Sequence, residues 1–209
     1  MTRLVILGAG GHAAVVAEAA QLEGAWDDIC FVDDKYPDVS EIIGLRVVGD
    51  LSAVQELKAD RVEFIVAIGN NHVRLELHQK IASSGGHLVS VVHPSTTVSR
   101  SASVQPGTVI MAQAAINART VIGVACIVNT GATIDHDCQI ESGVHISPGA
   151  NLAGGVSVGE RAWIGIGAIV MNDVSIGPNA IIGASAAVIT DVAANNTVVG
   201  IPAKQINRQ

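Results

Sequence analysis

From Val92 to Val188 an aliphatic residue returns at every sixth position without a break. The series runs Val92, Val98, Val104, Ile110, Ile116, Ile122, Val128, Ile134, Ile140, Ile146, Leu152, Val158, Ile164, Val170, Ile176, Ile182, Val188. Neither a helix nor an alternating strand has this period. A fixed six-residue repeat is the sign of a hexapeptide β-helix, in which three hexapeptides make one triangular coil of about 18 residues. The aliphatic side chain points into the prism. Two positions earlier lies a small residue suited to a corner, as at Ala114, Ala132, Ala150, Ala162, Ala168, Ala180 and Ala186. Glycines often follow the aliphatic residue, as at Gly123, Gly159, Gly165, Gly177 and Gly183, and are expected to supply turn dihedrals that a Cβ would penalise. The core becomes continuous only when coils stack. Aromatics make up 2% of the 209 residues, which suits a narrow interior of Ile, Val, Leu and Ala.

Before His93-Pro94 the pattern is different. Strand and helix signals alternate: strands at 2–7, 28–33, 62–68 and 87–92, helices at 12–23, 52–58 and 71–84, the last capped by Asn70 or Asn71. This order predicts a parallel sheet with right-handed crossovers. The expected domains are therefore a Rossmann-like α/β unit at 1–91 and a β-helix with a C-terminal tail at 92–209.

Composition removes several functions. The net charge is -7 and no basic run occurs, so nucleic-acid binding has no support. Cys30, Cys126 and Cys138 form no C-x-x-C pair and read as free thiols in a reducing compartment. The apolar run Leu4-Val5-Ile6-Leu7 is too short for a signal-peptide core, and no stretch is long enough to span a membrane. A cytoplasmic protein is expected.

Gly8-x-Gly10-x-x-Ala13 satisfies the dinucleotide fingerprint between a strand and a helix. Glycines let the backbone approach a phosphate, and the helix N-terminus attracts it. Gly10, Gly11 and His12 are candidate ligand contacts. Asp33 and Asp34 end the second strand, where an acid can bond a ribose or a base edge, and Gly69 ends the third strand on the same side. Only one half of a doubly wound fold precedes the repeats, which suits a UDP-sugar better than NAD.

His136 follows the inward Ile134 by two residues, which places it near the prism surface. Its neighbours one coil away, Ala118 and Gly154, are small and leave space beside the ring. A free imidazole titrates near neutrality and can take a proton from an amine or hydroxyl. Asp137 is the candidate orienting carboxylate and Asp135 a competing one. Cys138 falls in an inward slot and reads as core.

Together, Gly8-Ala9-Gly10-Gly11-His12, Asp33-Asp34, the hexapeptide series, His136-Asp137 and Gly200-Ile201-Pro202-Ala203-Lys204 resemble one family. It is the hexapeptide-repeat sugar acetyltransferases, which include sialic-acid O-acetyltransferases and the N-acetyltransferases of UDP-4-amino-4,6-dideoxy sugars in bacillosamine synthesis. The resemblance implies a left-handed β-helix, a homotrimer, acetyl-CoA in the groove between prisms, a nucleotide sugar on the N-terminal domain, and no metal. It makes His136 the general base of a direct transfer. It places His145, Ile166, Ala184 and Lys204 against acetyl-CoA, with Asn129 lining the site. Ala184 stands where the family commonly has glycine. Asp137 stands where it often has glutamate, so a longer or water-mediated contact to the ring is expected. A sialic-acid hydroxyl and GDP-perosamine remain open as acceptors. A zinc site of the β-helical carbonic anhydrase kind is disfavoured, since His136 and His145 lack a third histidine within the repeats. A non-catalytic nucleotide-sugar sensor or scaffold is the reading of another class.

Overall fold

The computed structural model describes residues 2–59 and 61–206, so the last three residues of the expected 92–209 segment lie outside the described residues. The chain opens with strand β1 (Arg3–Leu7) and helix α1 (Gly11–Glu23), which ends at Gly24 in the left-handed region (φ 70°). Strand β2 (Asp28–Val32) follows, then a small hairpin of β3 (Glu41–Ile42) and β4 (Leu45–Arg46) that the sequence reading did not anticipate. Helix α2 (Val54–Leu57), strand β5 (Val62–Val66), helix α3 (Asn71–Ser83) and strand β6 (His87–Leu88) complete the unit. Asn70 caps α3, its side chain accepting from the His72 and Val73 amides.

The sheet order is β2-β1-β5-β6, with all pairings parallel. Leu4, Val5, Ile6 and Leu7 are all buried, because a central parallel strand is covered on both faces. The order reverses between β1 and β5. That is a switch point, so the loops after Leu7 and Val66 flank the crevice where open parallel sheets bind ligands.

The expected fourth strand at 87–92 is two strands. β6 stays in the sheet, whereas β7 (Val91–Val92) leaves it and pairs with Val109–Ile110. The run reads as one strand because both parts are apolar. Val92, however, already belongs to the six-residue series and takes its partner from the next coil.

The rest is a parallel β-solenoid of two-residue rungs in three ladders. Pairings join residues 18 apart, as Ile110 with Val128 and Val128 with Ile146. In the last coil Ile182 meets Val198, an interval of 16. The strand Lys204–Ile206 then turns back antiparallel on Thr197–Val199. The series points inward throughout; Val92, Val98 and Val104 are half-buried in the first coil, and Ile110 onward are buried.

The glycines after the aliphatic residues have a different reason from the one expected. Gly123, Gly159, Gly165, Gly177 and Gly183 do not have positive φ. A Cβ there would collide with the next coil, reaching Ser142 N at 2.7 Å from Gly123 and Ile182 O at 2.5 Å from Gly165. The left-handed dihedrals lie two positions later, at Ala125, Arg161, Gly167, Asn179 and Ser185 (φ 54° to 64°). Close stacking of coils demands the glycine, and the corner itself tolerates a side chain.

The N-terminal unit lies against the first ladder. Its outward residues Val91, Val109 and Ile127 join the core that α1 builds with Ala13, Val16, Ala17 and Ala20. Glu23, at the end of α1, accepts the Val92 amide at 3.0 Å. Where that cover ends, the same outward column continues as His145, Trp163 and Ile181.

Candidate active site

His136 sits on the turn between the rungs Thr133–Ile134 and Gln139–Ile140, at the corner of the second and third ladders. Its ring Nδ1 lies 2.7 Å from Asp137 Oδ2, a direct contact where a longer or water-mediated one was expected. Asp137 occupies the left-handed corner position (φ 60°), and there the shorter side chain reaches the neighbouring ring directly. Arg119, one coil earlier, holds the same carboxylate in a fork: Nε donates to Oδ1 and Nη2 to Oδ2, each at 2.6 Å. The guanidinium, then the imidazole, hold the Asp137 carboxyl well below the usual range, at about 2. Asp135 does not compete for the ring; it accepts the His136 backbone amide and the Asn117 side chain, both at 2.8 Å.

The network assigns the Nδ1 proton toward the carboxylate. His136 Nε2 then has a free lone pair, with no hydrogen-bond partner among the described residues. The ring lies over Gly154, where a Cβ would come within 2.5 Å of Cε1 and 2.7 Å of Nε2. Cys138 is fully buried, its thiol pushed up by burial, and it belongs to the solenoid core. That agrees with its reading as core.

The first ladder carries a second cluster. His145 stacks on Trp163 with ring centroids 5.7 Å apart and planes 6° off parallel. Its Nε2 lies 3.3 Å from Asn129 Nδ2, and its buried Nδ1 has no partner. His12, in the first turn of α1, likewise has a buried Nε2 without a partner. Burial first, then the Arg74 cation, hold His12 down at about 4 and His145 at about 3. Both rings are neutral at physiological pH.

Beside them is a cleft of about 330 Å³ lined by Gly69, Asn70, Asn71, His72, Arg161, Trp163, Asn179 and Ile181. Arg161 Nε and Asn179 Oδ1 are buried there without partners. A larger hollow of about 400 Å³, lined by residues such as Lys58, Val62 and Gly86, opens at the other end of β5 and faces none of these groups.

In the glycine loop, Gly8 (φ 110°) packs against the Ala67 carbonyl, where a Cβ would sit at 3.0 Å. Gly10 and Gly11 face open space, and Gly10 caps α1 with no side chain covering its first amides. A phosphate has a clear approach to that helix end. Asp33 is already engaged: Oδ2 accepts the Ala9 amide at 2.7 Å and Oδ1 the Lys35 amide at 2.9 Å. It ties the glycine loop to the loop after β2. Asp34 accepts the Leu51 amide at 3.2 Å.

The PglD N-terminal domain family matches residues 3–81, and the bacterial transferase hexapeptide (six repeats) family matches residues 155–190. The acetyltransferase domain of PglB from Neisseria gonorrhoeae FA1090, solved with acetyl coenzyme A, is 39% identical over 98% of each chain, with a TM-score of 0.95. The chain belongs to the hexapeptide-repeat sugar acetyltransferases. PerB from Caulobacter crescentus, solved with CoA and GDP-perosamine, is 40% identical over 99% of this chain and 98% of its own, with a TM-score of 0.93. A curated relative, UDP-N-acetylbacillosamine N-acetyltransferase from Bacillus subtilis (strain 168), is 40% identical over 106 residues. That match spans half of this chain and 49% of the relative.

One chain brings Gly69 to a cleft walled by Trp163, on which His145 stacks, and sets His12 near enough to His145 to act on its charge, but it does not bring His136 there. His136 is on the corner of the second and third ladders, and His145 faces outward from the first. Ile166 and Ala184 stack one coil apart on an exposed corner, the Ser185 amide bonding the Ile166 carbonyl at 2.8 Å. Lys204 is exposed in the last strand. Among the described residues no three His, Cys, Asp or Glu side chains gather as a metal site needs, and no helix is long and apolar enough to cross a membrane.

Arg119, Trp163, Asn71 and Arg74 were missed by the sequence reading. Arg119 was findable, since it stands one coil before Asp137 with the opposite charge. Arg74 was not, because its contacts to the solenoid are backbone carbonyls of distant turns.

Proposed function

We propose that the chain transfers acetyl from acetyl-CoA to the 4-amino group of a nucleotide-linked amino-dideoxy sugar, with UDP-4-amino-4,6-dideoxy-N-acetylglucosamine as the preferred acceptor. The observation that carries this reading is the His136 ring itself. Nδ1 is fixed on a carboxylate, Nε2 is free, and the ring lies over a glycine.

His136 Nε2 takes the proton from the acceptor amine as the amine attacks the thioester carbonyl. Asp137 keeps the ring in the productive tautomer and stabilises the imidazolium, and Arg119 keeps Asp137 in place. No nucleophilic side chain is needed: the C–S bond breaks as the tetrahedral adduct collapses, and the imidazolium returns its proton to the leaving sulfur, so that CoA departs as the thiol. The diphosphate of the acceptor meets the amides at Gly10 and Gly11, while His12 and Gly69 lie on the path toward the solenoid. Acetyl-CoA is held by His145, Ile166, Ala184 and Lys204.

The separation of His136 from His145 within one chain supports a homotrimer in which the corner of one prism meets the face of another. Exposed Ile169, Met171 and Ile189 give that contact an apolar surface. The likeness to PerB supports a second acceptor, a GDP-linked amino sugar.

The test is thiol release from acetyl-CoA with UDP-4-amino-4,6-dideoxy-N-acetylglucosamine, GDP-perosamine and sialic acid. Turnover on the UDP-amino sugar, reduced roughly 10²–10⁴-fold in His136→Ala, is expected. Unchanged turnover in His136→Ala would remove this residue from the chemistry.

A further inference from the structure

Arg74, in α3, is wholly enclosed. A buried cation normally has a carboxylate beside it. This one has none bonded to it among the described residues. Its five N–H groups all meet neutral oxygens. Nε donates to Ala125 O at 2.7 Å, and Nη1 to Ile68 O at 2.9 Å and Gly69 O at 3.2 Å. Nη2 donates to Asn71 Oδ1 and Gly143 O, both at 2.8 Å.

These partners come from both domains. Ile68 and Gly69 form the loop after β5, at the switch point of the sheet. Ala125 and Gly143 are left-handed corners of successive coils, and Gly143 leads through Val144 into His145. Asn71 extends the contact by one coil, donating to Arg161 O at 3.0 Å and Ala162 O at 3.1 Å, just before Trp163. The fit at this corner is tight: a Cβ on Gly143 would lie 3.3 Å from Leu75 of α3.

We propose that Arg74 is a positioning residue for acetyl transfer: its guanidinium fixes the Ile68–Gly69 loop at a set distance from His145, so that an acceptor held by the N-terminal domain meets the acetyl group in register. The proposal rests on the acetyl-transfer reading above. Lysine cannot reproduce the arrangement, because it offers three donors on one nitrogen in place of five in a planar fork. The charge has a second effect. It adds to the larger effect of burial in holding His12 and His145 below the ordinary imidazole range. The other titratable group in its reach is Cys126, whose thiol burial pushes up to about 11 and which therefore stays uncharged.

Arg74→Lys keeps the charge and loses the fork; Arg74→Gln loses both. Two readouts separate them: kcat/KM from thiol release, and the protonation of His12 and His145 followed by ¹⁵N NMR of the imidazoles. Arg74→Lys is expected to lose about 100-fold in kcat/KM, the scale of a misplacement of about 1 Å, while both rings still titrate at the acid end. In Arg74→Gln the two titrations move toward neutrality as well. If Arg74→Gln does not fold, Arg74→Lys carries the test alone. Wild-type kcat/KM in Arg74→Lys overturns the proposal. So do imidazole titrations in Arg74→Lys that rise toward neutrality, since that pattern means the cleft has merely come apart. An inactive wild type with every acceptor sinks the acetyl-transfer reading and this proposal with it; an active wild type beside an undiminished Arg74→Lys sinks this proposal alone.

Discussion

Gly154→Ala should lower activity and raise stability at once. Gly154 does not have positive φ, so alanine fits its backbone, and the three atoms nearest its Cβ would all belong to the His136 ring. Removing a glycine from the unfolded ensemble at such a site is worth about 0.4–1 kcal/mol of added stability. The ring, however, would stand 2.5 Å from the new methyl at Cε1. Ordinary carbon contacts lie at about 3.5–4 Å, so the imidazole must move by about 1 Å. That movement would strain the 2.7 Å bond to Asp137. A displacement of about 1 Å costs on the order of 100-fold in rate, about 2.7 kcal/mol of transition-state stabilisation. Thiol release at saturating acetyl-CoA reads the rate, and a thermal melt of the same sample reads the stability. Full activity in Gly154→Ala would refute the argument, because the base would then not be the ring described over residue 154. Joint loss of activity and melting temperature would refute it too, by showing that the methyl disturbs the coil.

Arg119→Ala should lower kcat by about tenfold and leave the melting temperature unchanged, because it frees an exposed carboxylate to drift from the ring while removing only a surface ion pair; steady-state kinetics beside a melt check both. Acid should weaken the fold. His12 and His145 are depressed from 6.5 to about 4 and about 3, so the unfolded chain binds their protons first. Stability is therefore full above about pH 6.5 and falls as pH drops toward 4, by about 1.4 kcal/mol per unit for each ring. Urea midpoints at pH 7, 6 and 5 measure the slope, and His145→Asn should flatten it by one proton. Below that range Asp137 adds a further loss, since its carboxylate is stabilising above 3.8 and protonates as pH falls through about 2; Asp137→Asn should remove that increment from the pH dependence of the melt.

The solenoid was legible because its rule is local and repeats. Every member of the six-residue series points inward, and the predicted spaces at Ala118 and Gly154 follow from adding one coil to His136. The same arithmetic would have reached Arg119 from Asp137. Asp33 was harder. A strand-terminal acid reads as a ligand contact, and its residue type does not show that its oxygens also hold the Ala9 and Lys35 amides. Side-chain to backbone bonds leave no pattern in the residue types. Arg74 lay further out of reach, since four of its five partners are backbone carbonyls, which every residue has. The strand at 87–92 failed for a third reason, because apolarity marks a strand without naming its neighbour.

A stack of parallel rungs has no intrinsic length: each coil presents the next with unpaired amides and carbonyls, and another copy of the chain could supply the missing rung. The two ends of this stack answer that hazard differently. At the start, the Glu23 carboxylate takes the Val92 amide of the first ladder. At the finish, Lys204–Ile206 lies antiparallel on Thr197–Val199, so an incoming parallel coil finds the wrong polarity. An incoming coil would therefore meet a carboxylate at one end of the first ladder and a reversed strand at the other.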